Sequence, residues 1–181
     1  MITAMKAILA PILVLLAACS TQSSAPSPYV GLEVRDIKAL SPSEIADLLA
    51  GKGMGFAKSA ELNEYPGPAH VLELTTQLRL SPEQLAQTKL IFARMEASAK
   101  KHGADLVEAE RELEALFRSR QITPASLSHA VERVASRQAQ VRNAHLVAHI
   151  EQTNLLTAEQ TAQYVALRGY GGHHGKHGGH K

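Results

Sequence analysis

Between Leu85 and Leu116, apolar or small residues recur in alternating steps of four and three: Leu85, Thr88, Phe92, Met95, Ala99, His102, Leu106, Ala109, Leu113 and Leu116. A stripe with that spacing, held for so many turns, predicts one long amphipathic helix with a coiled-coil-like seam. Only Gly103 interrupts it, and a single glycine inside a long helix costs about 1 kcal/mol relative to alanine, too little to break it. At a rise of about 1.5 Å per residue, a helix over 81–119 would run roughly 60 Å. A second stripe follows after a short connection: Leu127, Val131, Val134, Gln138, Val141, His145, Ala148, Gln152 and Leu155. So short a connection makes the two helices antiparallel neighbours.

Helix starts are announced four times in one design. The sequence reads Leu40-Ser41-Pro42-Ser43-Glu44-Ile45, Leu80-Ser81-Pro82-Glu83-Gln84-Leu85, Ile122-Thr123-Pro124-Ala125-Ser126-Leu127 and Leu156-Thr157-Ala158-Glu159-Gln160. In each, a Ser or Thr hydroxyl can accept from an orphan backbone N–H, and in three of them a Glu or Gln three residues on can reach back to complete the box. Proline stands at the first helical position in three, where its missing N–H is not needed. An apolar residue before the cap can staple onto the fourth helical position, as Leu40 on Ile45, Leu80 on Leu85 and Ile122 on Leu127. Shorter helices are expected over 41–50, 55–63, 68–78 and 157–167. The run Gly51-Lys52-Gly53-Met54-Gly55 lacks the order of a phosphate-binding loop and follows no strand, so it reads as a hinge between short helices. The expected fold is all-α: a long antiparallel helical hairpin with shorter flanking helices. A two-helix hairpin leaves an apolar face in need of cover, so a dimer is expected as well.

The first residues bear on compartment. One lysine, Lys6, precedes an apolar run over 7–18, too short for a bilayer core of roughly 30 Å and built like a secretory signal. The run ends Leu16-Ala17-Ala18-Cys19, with small residues directly before the chain's single cysteine. This resembles the lipobox of bacterial lipoproteins, which are cleaved before the cysteine and acylated on it. A lone Cys19 has no internal disulfide partner, and lipid attachment gives it a task; an ordinary signal-peptidase site near Ala18 with an idle thiol is the alternative. Ser20, rather than Asp, after that cysteine implies sorting to the outer membrane. The organisation expected is a signal peptide over 1–18, a lipid-anchored flexible tether over 19–35, a helical domain over 36–170 and a disordered Gly/His-rich tail over 171–181.

Composition narrows the function. With 19 basic and 17 acidic residues the charge is nearly balanced, and no basic stripe is interleaved with aromatics, so nucleic acid is not a favoured partner. Tryptophan is missing and aromatics are 4%, so the core must come from Leu, Val, Ala and Met. The chain has no H-E-x-x-H, no G-x-S-x-G and no second cysteine, which argues against an enzyme.

Paired Leu-Ser/Thr-x-x-Gln motifs, Leu80 to Gln84 and Leu156 to Gln160, bracket the hairpin of what reads as an exported chain. This resembles the LTxxQ family of bacterial envelope proteins, the group of the Spy and CpxP stress chaperones and the metal-responsive ZraP and CnrX proteins. The first motif has Ser where the family often has Thr, which keeps the hydroxyl cap. The stretch 51–74, with Ala60-Glu61-Leu62-Asn63 and Tyr65-Pro66-Gly67-Pro68, is similar to an extension in the heavy-metal-resistance branch. The resemblance implies an all-α, cradle-shaped, dimeric periplasmic protein without catalysis.

Histidines carry the candidate chemistry. His145 and His149 are four apart and share a helix face, a spacing at which two imidazoles can reach one ion. Such a site needs further ligands, and Glu151, Glu96 and His70 are candidates; alternatively His145 is a polar seam residue and His149 its solvated neighbour. The tail holds His173, His174, His177 and His180 on a glycine-rich strand that cannot build a core and would hold Zn, Ni or Cu ions loosely. His102 and His129 read as ordinary helix residues. The resulting expectation is a non-enzymatic periplasmic envelope-stress protein that binds divalent heavy-metal ions, acts as a holdase-like chaperone for unfolded envelope proteins or as a stress-sensor modulator, or does both. Arg94, Lys100, Lys101, Arg133, Arg137 and Arg142 would supply charge to the client-binding face. The alternative is a purely structural lipoprotein anchored to the outer membrane.

Overall fold

A computed structural model describes residues 25–170. Residues 25–31 belong to a separate unit spanning 1–31, in which the described part is a turn closed by the Val30 N–H on the Ser27 carbonyl at 3.1 Å. The second unit begins at Leu32 and is all-α. Its helices are α1 Pro42–Leu49, α2 Lys58–Glu61, α3 Pro68–Glu73, α4 Pro82–Arg118, α5 Pro124–Leu155 and α6 Ala158–Leu167. Among the described residues there is no strand, and no helix is long and apolar enough to cross a membrane. The long pair α4 and α5 is antiparallel: Arg94 pairs with Glu151 at 2.8 Å near one end and Arg133 with Glu112 at 2.7 Å near the other.

Every expected cap is made. The Ser41, Ser81, Thr123 and Thr157 hydroxyls accept from the third helical N–H, and in all four the side chain at that position reaches back. The Thr123 box had no Glu or Gln to close it; Ser126 does so instead, its hydroxyl accepting from the Thr123 N–H at 2.9 Å. The two Gln boxes do more than cap. Gln84 donates to the Leu155 carbonyl (3.1 Å) and to Gln160 Oε1 (2.8 Å), while Gln160 donates to the Leu78 carbonyl (3.1 Å) and to Gln84 Oε1 (3.0 Å). Each amide thus caps its own helix with its oxygen and ties the other helix with its nitrogen. Two carboxylates could not donate and would repel, which is why glutamine suits these positions while Glu44 suffices at the exposed Ser41 cap.

The short helices are shorter than their sequence suggests. The expected helix over 55–63 is only Lys58–Glu61, because Met54 and Gly55 before it and Glu64 after it take positive φ. The one over 68–78 ends at Glu73 and continues as turns to Arg79, also at positive φ. Both interruptions are local left-handed kinks that no hydrophobic period registers.

Two apolar clusters hold the unit together. One gathers Ile37, Leu48, Leu106, Val107 and Val141, with Leu40, Ile45, Phe56 and Val134 packed on it, and seats α1 against α4. The other gathers Val71, Leu78, Tyr164 and Val165 with Leu74, Leu80, Leu156 and Tyr170, and seats α3 and α6 at the open end of the hairpin. The seam of α4 is buried at Thr88, Ala99, Leu106 and Ala109 as expected, but Ile91, Gly103 and Val107 are buried too, because α4 has neighbours on two sides. Near the hairpin tip the α5 stripe is displaced: Leu127, Val131 and Gln138 are exposed and Ala130 is buried. A straight α-helix drifts about 20° per heptad away from a strict seven-residue repeat, enough over the length of α5 to rotate one end off the seam. Gly103 is no neutral interruption either: the backbone of Leu48, at the end of α1, rests against it where a side chain would stand.

Candidate functional site

Between the two apolar clusters lies a cavity of about 690 Å³. Its walls are the 50–55 loop, α2, the start of α3, and facing positions of α4 and α5. His145 and His149 project from α5 into this region, one turn apart, and both are buried. The sequence reading of His149 as a solvated neighbour is therefore corrected: the segment before α3 folds over it, a contact no local pattern reveals.

The two imidazoles are held differently. The His149 Nδ1 lies 2.7 Å from the Tyr65 carbonyl oxygen. A carbonyl only accepts, so Nδ1 carries a hydrogen and Nε2 is the nitrogen left for an ion, the orientation by which an outer hydrogen bond prepares a metal-ligating histidine. His145 stacks on Phe56 with ring centroids 6.2 Å apart and planes 9° from parallel. Its Nε2 is buried and has no hydrogen-bond partner. Burial, foremost, holds the His145 imidazole below the ordinary histidine value, and His149 adds to that effect while the Lys52 backbone opposes it. His145 is thereby kept neutral, the form in which an imidazole ligates.

Glu61, at the end of α2, completes the arrangement. Its Oε1 accepts from the hydroxyls of Tyr164 (2.7 Å) and Tyr170 (3.0 Å) and from Arg168 Nε (3.2 Å). Its Oε2 is buried without a hydrogen-bond partner and lies 3.8 Å from His149 Nδ1. Burial first, and the Glu61 carboxylate second, push the Tyr164 hydroxyl far above the ordinary phenol value, so it remains a donor. Gly67 is required by close approach: a Cβ there would stand 2.8 Å from His149 Cε1 and 3.0 Å from Nε2.

Of the further ligands expected from sequence, Glu96 and His70 line this cavity, with His70 Nδ1 3.0 Å from Glu73. Glu151 does not; it pairs with Arg94 and lines smaller depressions of about 230 and 330 Å³. His102 sits 3.7 Å from Asp105 and lines none of these. Cys19 and His173, His174, His177 and His180 lie outside the described residues, as do the proposed signal peptide and the start of the tether, 19–24. Among the described residues no three His, Cys, Asp or Glu side chains converge closely enough to hold an ion by themselves. The site therefore offers two imidazoles as a partial shell. Glu61, the Tyr65 carbonyl, Phe56 and Gly67 were not identified in advance; all come from the 56–67 stretch, and only the packing of that stretch on α5 reveals them.

No family model, no curated protein and no solved structure matches this chain.

Proposed function

We propose that this chain is a non-enzymatic envelope protein of the LTxxQ kind that binds transition-metal ions. His145 and His149 hold an ion in the cavity, and His173, His174, His177 and His180 act as a looser auxiliary site. Cys19 carries the lipid that anchors the protein to the outer membrane, facing the periplasm, and the working form is a homodimer. The observation that supports metal binding best is the pairing of a His149 whose outer nitrogen is already hydrogen-bonded with a His145 whose Nε2 is buried and unpartnered. An unsatisfied buried nitrogen costs about 1–3 kcal/mol, and an ion ligated there would remove that cost. The Tyr65 carbonyl orients His149, with a Glu61 carboxylate oxygen 3.8 Å from the same nitrogen, and an ion supplies no reaction here, only a bound charge.

Calorimetry with Zn, Ni and Cu tests this on three forms of the full chain: unaltered, with the four tail histidines replaced by Asn, and with His145→Ala/His149→Ala added to that background. A tight site that survives the tail replacement and disappears with the added pair is the expected outcome. Failure of the unaltered chain to bind any of the three rejects the proposal.

A second reading, holdase-like binding of unfolded envelope proteins, is supported by apolar side chains left half-exposed on the hairpin, Leu90, Val147 and Ile150, beside the Arg94–Glu151 pair. Mixed apolar and charged surface suits weak, non-selective client contact. Suppression of the aggregation of a denatured client at stoichiometric ratio tests it. A folded protein that neither suppresses aggregation nor binds metal would be left as a purely structural anchored lipoprotein.

A further inference from the structure

The cavity contains donors beyond nitrogen and oxygen. The chain has four methionines, of which Met1 and Met5 precede the described residues; the other two, Met54 and Met95, both line this cavity, and Met95 also borders the depression of about 230 Å³. Three of the five histidines among the described residues, His70, His145 and His149, line it as well. Thioethers and imidazoles thus concentrate at one place in a unit otherwise built on Leu, Val, Ile and Ala.

Packing accounts for one of these methionines better than for the other. Met95 sits half-buried on the α4 seam, where a flexible thioether is an ordinary gap filler. Met54 is different. It is 40% exposed and belongs to neither apolar cluster, and it stands at φ +43° between Gly53 and Gly55. A non-glycine residue in the left-handed region is strained, and glycine at this position would avoid that strain. The loop therefore carries a strained methionine whose side chain contributes little to the core yet borders the cavity of the two imidazoles. Thioether sulfur is a poor ligand for hard ions and a good one for soft, polarisable d10 ions, whereas neutral imidazole serves many metals.

We infer that the cavity is a site for a soft monovalent ion, reduced copper, with His145 and His149 as nitrogen donors and Met54 and Met95 as sulfur donors. The inference rests on the metal-binding reading above and narrows it to one class of ion. Met54 on the loop and Met95 on α4 supply from the facing walls the ligands that α5 alone lacks.

The test uses the full chain with its four tail histidines replaced by Asn, so that loose sites do not compete. Affinity for Cu(I) is measured anaerobically against a chromophoric Cu(I) chelator, with Ag(I) as the redox-inert analogue and Zn(II) measured in parallel. Two variants are compared, Met54→Leu/Met95→Leu, which nearly conserves volume, and His145→Ala/His149→Ala. The methionine variant should lose about tenfold or more in Cu(I) and Ag(I) affinity with Zn(II) affinity unchanged, and the histidine variant should lose all three. X-ray absorption of the copper form should show both sulfur and nitrogen neighbours, the sulfur disappearing with the methionines. Unchanged Cu(I) affinity in the methionine variant, or an equal loss for Zn(II), overturns the inference and leaves the metal-binding reading intact. Undiminished binding in the histidine variant overturns both. Should the double methionine variant lose helicity, Met54→Leu alone, at an exposed loop position, decides the matter by the same criteria.

Discussion

Replacing Gly103 with alanine sets two magnitudes of opposite sign against each other. Inside α4 the substitution improves helix propensity by about 1 kcal/mol. The added Cβ, however, would collide with the Leu48 carbonyl oxygen and lie 2.8 Å from the carbonyl carbon and 3.3 Å from Cα of the same residue. These are backbone atoms at the end of α1, and no rotamer change moves them. An ordinary C···O approach is about 3.3–3.6 Å, so the end of α1 must retreat by roughly 1 Å. A gap of that order forfeits about a quarter to a half of each contact well across it. The contacts at stake join Leu48 and Ile37, which are 3% and 1% exposed, to Leu106, Val107 and Val141. Overpacking a core costs about 1–3 kcal/mol, and an obstruction by backbone belongs at or above the upper end. After crediting the propensity gain, Gly103→Ala should destabilise by about 2 kcal/mol. The control is Ala97→Gly, exposed on the same helix, which should cost about 1 kcal/mol by propensity alone. Urea unfolding followed by far-UV circular dichroism reads both, with a lower midpoint and an unchanged slope. A Gly103→Ala protein as stable as the parent, or more so, refutes the seating of α1 on α4.

The Gln84–Gln160 pair should show coupling: in a double-mutant cycle to alanine, the interaction energy measured by urea unfolding should be about 1 kcal/mol, and simple additivity would mean the reciprocal bonds contribute nothing. The depressed His145 value sets a pH dependence. Its folded form takes up a proton only below the ordinary value of 6.5, so the unfolded chain binds that proton first as pH falls. Stability is therefore full above about 6.5, declines toward the depressed value with a slope of at most about 1.4 kcal/mol per pH unit, and levels off below it. His145→Gln should remove this component of the slope in urea titrations on either side of 6.5, and an identical slope in both proteins would contradict the burial of His145.

Much of the fold was readable because its signals are local. A Ser or Thr followed by a reaching side chain specifies a helix start within four residues, and all four starts appear where the capping pattern places them. The hairpin follows from two long stripes and a short connection. What could not be read depends on neighbours distant in the chain. Gly103 looked like a tolerated flaw because the Leu48 backbone that needs it is 55 residues earlier, as 103 minus 48 gives. Glu61 looked like one acid among many, since nothing in its vicinity announces Tyr164, Arg168 and Tyr170. The His145/His149 spacing was readable, yet spacing says only that two imidazoles share a face, not what covers that face. The Tyr65 carbonyl and Phe56 ring that decide their chemistry arrive through tertiary packing.

The site sits where the seam of the hairpin turns polar. Apolar seam residues join the helices on either side, in the Leu106–Val141 cluster and in the cluster around Tyr164. Between them the seam of α5 carries His145 and Gln152 at positions where a hairpin built only for stability would carry leucine. Of the five buried polar side-chain atoms without hydrogen-bond partners among the described residues, three, His145 Nε2, Gln152 Oε1 and Glu61 Oε2, fall in this stretch, and His102 Nδ1 and Glu112 Oε2 lie farther along α4. Each such atom costs about 1–3 kcal/mol, a large share of the few kcal/mol by which a domain of this size is stable. The rest of the molecule compensates around the gap. The reciprocal glutamines fasten the open end, four capping boxes fix the helix starts, and the Glu61 node ties α2 to α6 and, through Tyr65 and His149, to α5. A seam that turns polar between two apolar clusters, held in place by fastenings on both sides, is the energetic pattern of a binding site.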